Sequence, residues 1–262
     1  KWVLKVRETD MAVDPYEICP CGSGKKIKFC CIAITGEMAR VERLIQGSQI
    51  RQAKQTLDAL DVEHPGNPWI GVNRVAILLE AGQAAEATEI LKPLVESHPE
   101  HLQAIALLAS ASFSAAGFDQ AKPAIHRAFQ VCAVALPDMI GNLALGIAAA
   151  MYATHKYMAA RQHLTLAMRL VSDDKKQDIF LRLLEFDGNR RLPYPLRSVH
   201  ELEAVSGSDE LEKEATKARR LSGRGCWRPA AKIFSKLAEQ ESENAALWLN
   251  AGLCHAWDGD EV

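Results

Sequence analysis

Three stretches decide the fold: QIRQAKQTLDALDVEHP (residues 49–65), QAAEATEILKPLVESHP (83–99) and GFDQAKPAIHRAFQVC (117–132). Laid over one another, they repeat at intervals of 34 residues. Ala53, Ala87 and Ala121 share one position; Leu57, Leu91 and Ile125 share a second; Leu60, Leu94 and Ala128 share a third. His64-Pro65 returns as His98-Pro99. Steps of four and three residues between apolar positions place them on one face of a helix. The alanine lets that helix sit close against a preceding one, and the larger side chains one and two turns later fill the space between them. The proline cannot continue the helix and sets the turn into the next unit. A period of this length marks a chain built from stacked supersecondary units.

Two helices per 34 residues resembles the tetratricopeptide repeat. The first helices of two units would be WIGVNRVAILLEAG (69–82) and HLQAIALLASASFSAAG (101–117), ending in turns at Gly82 and near Gly117. A fourth unit, residues 140–171, keeps the spacing at Ala160, Leu164 and Ala167 but starts five residues late, after Leu136-Pro137. A fifth, 211–240, repeats it at Ala230, Phe234 and Leu237. NAALWLNAGLCHAWDGDEV (244–262) reads as the first helix of a sixth, with Trp248, Ala251 and Gly252 in the family's positions. No second helix follows it, which predicts an uncovered apolar face and a longer parent protein. Between 172 and 210 the period fails, leaving one short helical stretch, a Pro193–Pro195 turn and a polar Gly-Ser segment. The expected architecture is all-α: a superhelix of about five repeats plus a truncated sixth. Its parts would be a leader at 1–16, partly non-native and starting at Lys1 or Met11, then a knuckle at 17–34 and repeats at 37–171. An insert or degenerate repeat at 172–210 and further repeats at 211–262 complete it.

Ahead of the repeats stands ICPCGSGKKIKFCC (18–31), with four of the chain's seven cysteines. Cys19, Cys21, Cys30 and Cys31 form C-x-C-x8-C-C. Neighbouring cysteines bridge poorly with one another, and redox catalysis more usually presents C-x-x-C at a helix start. A structural zinc takes four thiolates, which two ligand pairs on a short loop can supply. Pro20 stiffens that loop while Gly22 and Gly24 allow tight turns, and Lys25, Lys26 and Lys28 offset the charge of a four-thiolate ion. Spacing alone leaves the three readings open. The segment DPYEICPCGSGKKIKFCC resembles the SEC-C motif, the zinc-binding segment at the C-terminus of SecA and on many other bacterial proteins. The resemblance implies one zinc held by Cys19, Cys21, Cys30 and Cys31. It also implies contact of Lys25, Lys26 and Lys28 with a ribosome or a secretion chaperone, as the family's basic positions make in SecA.

Bulk properties exclude several classes. Lys and Arg total 31 against 33 Asp and Glu, for a net charge of −2, which gives no global attraction to nucleic acid or acidic lipid. No run of about 18 apolar residues predicts a transmembrane helix. The start, KWVLKVRETD, is a poor signal peptide. Scattered Cys132, Cys226 and Cys254 fit packing in a reducing cytoplasm better than a disulfide framework. No catalytic signature appears: H-E-x-x-H, G-x-S-x-G, a dinucleotide loop and a phosphate loop are all absent from the sequence. His64 and His98 repeat with the turn and read as capping residues, and His155 and His163 as a coincidence of spacing. Cys226 beside Trp227 reads as packing.

The functional expectation is a non-enzymatic scaffold that holds a protein partner on its concave face. Trp69, Val72, Leu79, Phe113, Asn142 and Tyr152 are the groove candidates. The family's carboxylate clamp does not carry over, because Val72, Ala76, Ala106 and Ser110 stand at its lysine and asparagine positions. The alternative is ribosome or RNA contact, or binding of a secretion chaperone, through the basic knuckle.

Overall fold

The computed structural model describes residues 14–260, so the expectations placed on 1–13, including Lys1 and Met11, lie outside the described residues. All regular structure among the described residues is helical, apart from one isolated bridge between Ile18 and Lys26. Two short 3-10 turns, Ile27–Phe29 and Ile32–Ile34, precede α1 (Thr35–Gln46), α2 (Ile50–Glu63), α3 (Pro68–Glu80), α4 (Ala84–Ser97) and α5 (Leu102–Cys132). Then come α6 (Pro137–Ala153), α7 (Tyr157–Leu170), α8 (Asp173–Gly188), α9 (Tyr194–Arg197), α10 (Asp209–Gly223), α11 (Trp227–Gln240) and α12 (Ala245–Trp257). The chain divides into two compact units, one up to Ala124 and one from Ile125.

The repeat positions do the packing expected of them. Ala53, Leu57, Ala87, Leu91, Ala121, Ile125 and Ala128 are all fully or almost fully buried. Helix α3 starts where Asn67 accepts the Trp69 N–H and Pro68 takes the first turn, a position that needs no amide hydrogen. Helices α2 and α4 end at His64 and His98, whose backbone N–H groups bond back to the carbonyls of Leu60 and Leu94. Gly117, at φ +78°, breaks α5 into two limbs, as the sequence suggested. Over its full length α5 is long and apolar enough to cross a bilayer. Each limb of about 15 residues is too short to do so.

In the first unit, consecutive helices from α1 to α4 pack on one another. In the second, α6 packs on α7, α7 on α8, α10 on α11 and α11 on α12. Its core is partly aromatic. Phe129 lies edge-on to Trp227 at 6.4 Å, and the His163 ring stands 4.5 Å from that of Trp227.

Two features differ from expectation. Helix α12, expected to leave its apolar face open, also packs on α7, so that Leu247, Ala251, Leu253 and Cys254 are buried while Trp248 and Leu249 stay about half exposed. The stretch after Ser172 holds a four-turn helix, α8, rather than a short one. Helix α8 is tied to α7 by Arg161, whose guanidinium pairs with Asp187 at 3.0 Å through both Nε and an Nη nitrogen. Its apolar residues do not recur at repeat spacing, and Phe180, Leu181 and Leu184 remain half exposed.

Candidate metal centre

The backbone closes the thiol loop before any side chain is considered. Lys28 N–H bonds to the Pro15 carbonyl, Ile27 N–H to Glu17 and Cys19 N–H to Lys25, at 2.8–3.0 Å. Gly22 and Gly24 lie at φ +76° and +70°, in the left-handed region where glycine is unstrained. Ile27 is wholly buried beneath the loop.

This folding gathers all four cysteines. Their Sγ atoms lie within 4.8 Å of one another, with Cys21 to Cys30 at 3.4 Å and Cys30 to Cys31 at 3.8 Å. Sulfurs of a tetrahedral four-thiolate shell with bonds of about 2.3 Å stand about 3.8 Å apart, so the set fits a metal ion. Cys19, Cys21 and Cys31 are buried and Cys30 is exposed. Burial raises the Cys21 thiol, but hydrogen bonds with Ser23, Cys19 and Cys30 outweigh it and bring it down to about 7. Burial pushes Cys19 and Cys31 up, Cys31 against the opposing hydrogen bond of Asn67. Cys21 is thus held closer to ionisation than its buried neighbours Cys19 and Cys31.

The repeats reach into this site. Asn67, the cap of α3, donates from Nδ2 to Cys31 Sγ at 3.5 Å. His101, just before α5, bonds through Nε2 to the Pro20 carbonyl at 3.0 Å, while its Nδ1 accepts the Ala104 N–H at 3.1 Å. The imidazole lies flush against the loop: a Cβ at Gly22 would come within 2.6 Å of His101 Cδ2. Cys19, Cys21 and Cys31 belong to one buried cluster with Ile34, Met38, Leu57, Trp69 and Ile70. The knuckle and the first helices therefore share a core.

Spacing finds the four cysteines but not Asn67 or His101. The only sign of Asn67 is its place before Pro68 as a helix cap; its bond to Cys31 spans 36 residues.

The knuckle lysines are joined by aromatic residues that spacing does not single out. Lys28 Nζ stands 4.1 Å from the centre of the Tyr16 ring and 4.6 Å from that of Phe29, with Lys26 5.6 Å from Tyr16. Tyr16 and Phe29 are 59% and 69% exposed, large values for aromatic rings. Lys25 is also exposed.

The groove candidates divide. Trp69 and Val72 are buried and spend their surfaces on packing. Leu79 and Phe113, also in the first unit, are half-buried. In the second unit, Asn142 receives a hydrogen bond from Lys175 of α8 at 3.2 Å. Tyr152 is exposed and packs edge-on to Phe186 at 5.6 Å. It borders a cleft of about 310 Å³ lined by Leu145, Ala149, Leu164 and Phe186, with Arg182 and Glu185 at the same cleft.

Paired helices stacked at a 34-residue period, with a four-thiol cradle built into the first core, define an all-α helical-repeat protein with a candidate metal centre. Residues 44–111 match the tetratricopeptide repeat family, whose repeats generally serve as non-enzymatic modules for binding protein partners. No curated protein matches the chain.

Proposed function

We propose that the chain is a non-enzymatic interaction scaffold in which one structural zinc, held by Cys19, Cys21, Cys30 and Cys31, fastens a SEC-C-like knuckle to the end of a repeat array. A peptide or helix partner lies on the face formed by the first helix of each repeat. The match of residues 44–111 to a partner-binding repeat family carries this reading. Zinc is favoured over a catalytic ion because four thiolates complete a tetrahedral shell, leaving no position for water or substrate. A cytoplasmic setting belongs to the same proposal, because a reducing compartment keeps Cys19, Cys21, Cys30 and Cys31 as thiols able to ligate a metal.

The partner surface falls to residues that packing leaves free: Leu79 and Phe113 in the first unit, Tyr152 and its cleft in the second. Selection of a random peptide library on the immobilised full chain tests it. Enriched peptides should bind Phe113→Ala or Tyr152→Ala at least tenfold more weakly. Undiminished binding to both would move the partner off this face.

A second reading has its own support. Exposed Tyr16 and Phe29 interleaved with Lys25, Lys26 and Lys28 combine stacking surfaces with positive charge, the pairing that holds single-stranded nucleic acid. Contact with RNA or a ribosome through the knuckle would weaken steeply with salt and disappear in a Lys25/Lys26/Lys28→Ala variant. Binding of a secretion chaperone would instead survive nuclease treatment.

A further inference from the structure

Residues 199–206, VHELEAVS, have no regular structure, yet side chains of α10 and α12 hold their backbone. Asn250 of α12 takes both groups of one residue: its Oδ1 accepts the Glu203 N–H at 2.7 Å, and its Nδ2 donates to the Glu203 carbonyl at 2.9 Å. Arg219 of α10 donates to the Leu202 carbonyl. Asn244, at the start of α12, donates to the Ser206 carbonyl at 3.4 Å. Four backbone groups within five residues are therefore bound by side chains, in the way a scaffold would bind a separate extended peptide. Leu202 and Val205 are half-buried, while Glu201, Glu203, Ala204 and Ser206 face water.

Asn250 itself is fully buried. A buried amide stripped of its partners is costly, so this position favours a backbone N–H and carbonyl laid across it. In the repeat scheme α10 and α12 are both first helices, the ones that form the partner-binding face. We propose that residues 201–206 are a built-in ligand of that face, and that its partner is a peptide held by its backbone with apolar residues three apart, as Leu202 and Val205 are. Such a peptide binds by displacing the segment. The segment is tethered at both ends, so an incoming peptide competes against an effective concentration on the order of millimolar. The tether thereby sets a threshold for partner binding. This inference rests on the proposal that first helices form the binding face.

The probe is a fluorescent peptide of residues 199–207. It is titrated into the full chain, into a full chain with residues 200–206 replaced by alternating Gly and Ser, and into that opened chain carrying Asn250→Ala. The opened chain should bind at least tenfold more tightly than the wild type, and Asn250→Ala should remove the gain. Equal binding to opened and wild-type chains, with helical circular dichroism unchanged, overturns the inference. If the library selection described above still yields Phe113- or Tyr152-sensitive peptides, only self-occupancy falls; if it yields none, the binding-face proposal falls with it. A measurement on the unaltered chain covers a failure of the opened chain to fold. The Glu203 amide should be protected from hydrogen exchange and lose protection as millimolar peptide is added; protection unmoved by peptide overturns the inference as well.

Discussion

Asn67 serves the helix and the thiols with opposite ends of one amide. Its Oδ1 accepts the Trp69 N–H at 3.0 Å, and its Nδ2 points at Cys31 Sγ. Replacement by aspartate keeps a good cap but removes the donor and sets a carboxylate beside thiolates. Asn67→Asp should therefore lower metal affinity by about tenfold or more, read by competition with a chromophoric chelator, with helical content unchanged. Alanine would lose the cap too and cost an additional ~1 kcal/mol of stability. His163 makes a different prediction, in the second unit. Burial among Phe129 and Trp227 drives its pKa down to about 4 from the usual 6.5, against the Ala159 carbonyl, which takes its Nδ1–H, and against nearby Asp258; His126 adds to the lowering. The unfolded chain takes up this proton near pH 6.5 and the folded chain only near 4. Its stabilising contribution is complete above pH 6.5, falls as pH drops towards 4, and amounts to about 3 kcal/mol. Hydrogen-exchange protection in α7 and α11 should decline across that window. A His163→Leu variant should show a flatter decline than the wild type.

Among the elements, the turns between helices separate two kinds of glycine. Gly225, between α10 and α11, has φ +81°, and a Cβ there would meet Leu166 Cδ2 at 2.5 Å and Phe129 Cδ2 at 2.9 Å. Gly82, between α3 and α4, has φ +75° with open space around it. Gly82→Ala should cost only the backbone penalty, about 1 kcal/mol, whereas Gly225→Ala should cost well over 2 kcal/mol by urea denaturation, because core side chains must also move. The same contrast marks how far the sequence could be read. Ala53, Leu57 and Leu60 announce a helix because three positions on one face recur 34 residues on, and Gly82 and Gly117 announce where the first helices of two units end. The four cysteines were legible for the same reason, since their ligand chemistry is compressed into thirteen residues. Helix α8 was legible only as a short stretch, because Arg161–Asp187 and not a small-residue seam ties it down. His101 bonding to the Pro20 carbonyl and Asn250 bonding to Glu203 link residues 81 and 47 apart, and no local pattern encodes such contacts.

For the molecule as a whole, the shared core predicts that a metal at the four thiols would make metal binding and folding of the first unit one equilibrium. Three of the four thiols share a core with Leu57, Trp69 and Ile70, and His101 and Asn67 bond the thiol loop to the starts of α5 and α3. A ligand that binds only the folded state stabilises it by about 4 kcal/mol at a thousandfold excess over its dissociation constant. Elemental analysis should find about one zinc per chain and none in a Cys30→Ser/Cys31→Ser variant. Chelation under reducing conditions, or that variant, should then speed hydrogen exchange in α2, α3 and the first turns of α5. Exchange in α7 and α11, which belong to the second unit, should stay as it was. Loss of the metal with α2 and α3 unchanged would make the knuckle an appended bead, and the shared core would then carry no energy from one to the other. The expected pattern would make a metal at the four thiols a condition for order in α2 and α3, and under the proposed function a partner bound through Leu79 of α3 would then be lost with the metal while the second unit stayed folded.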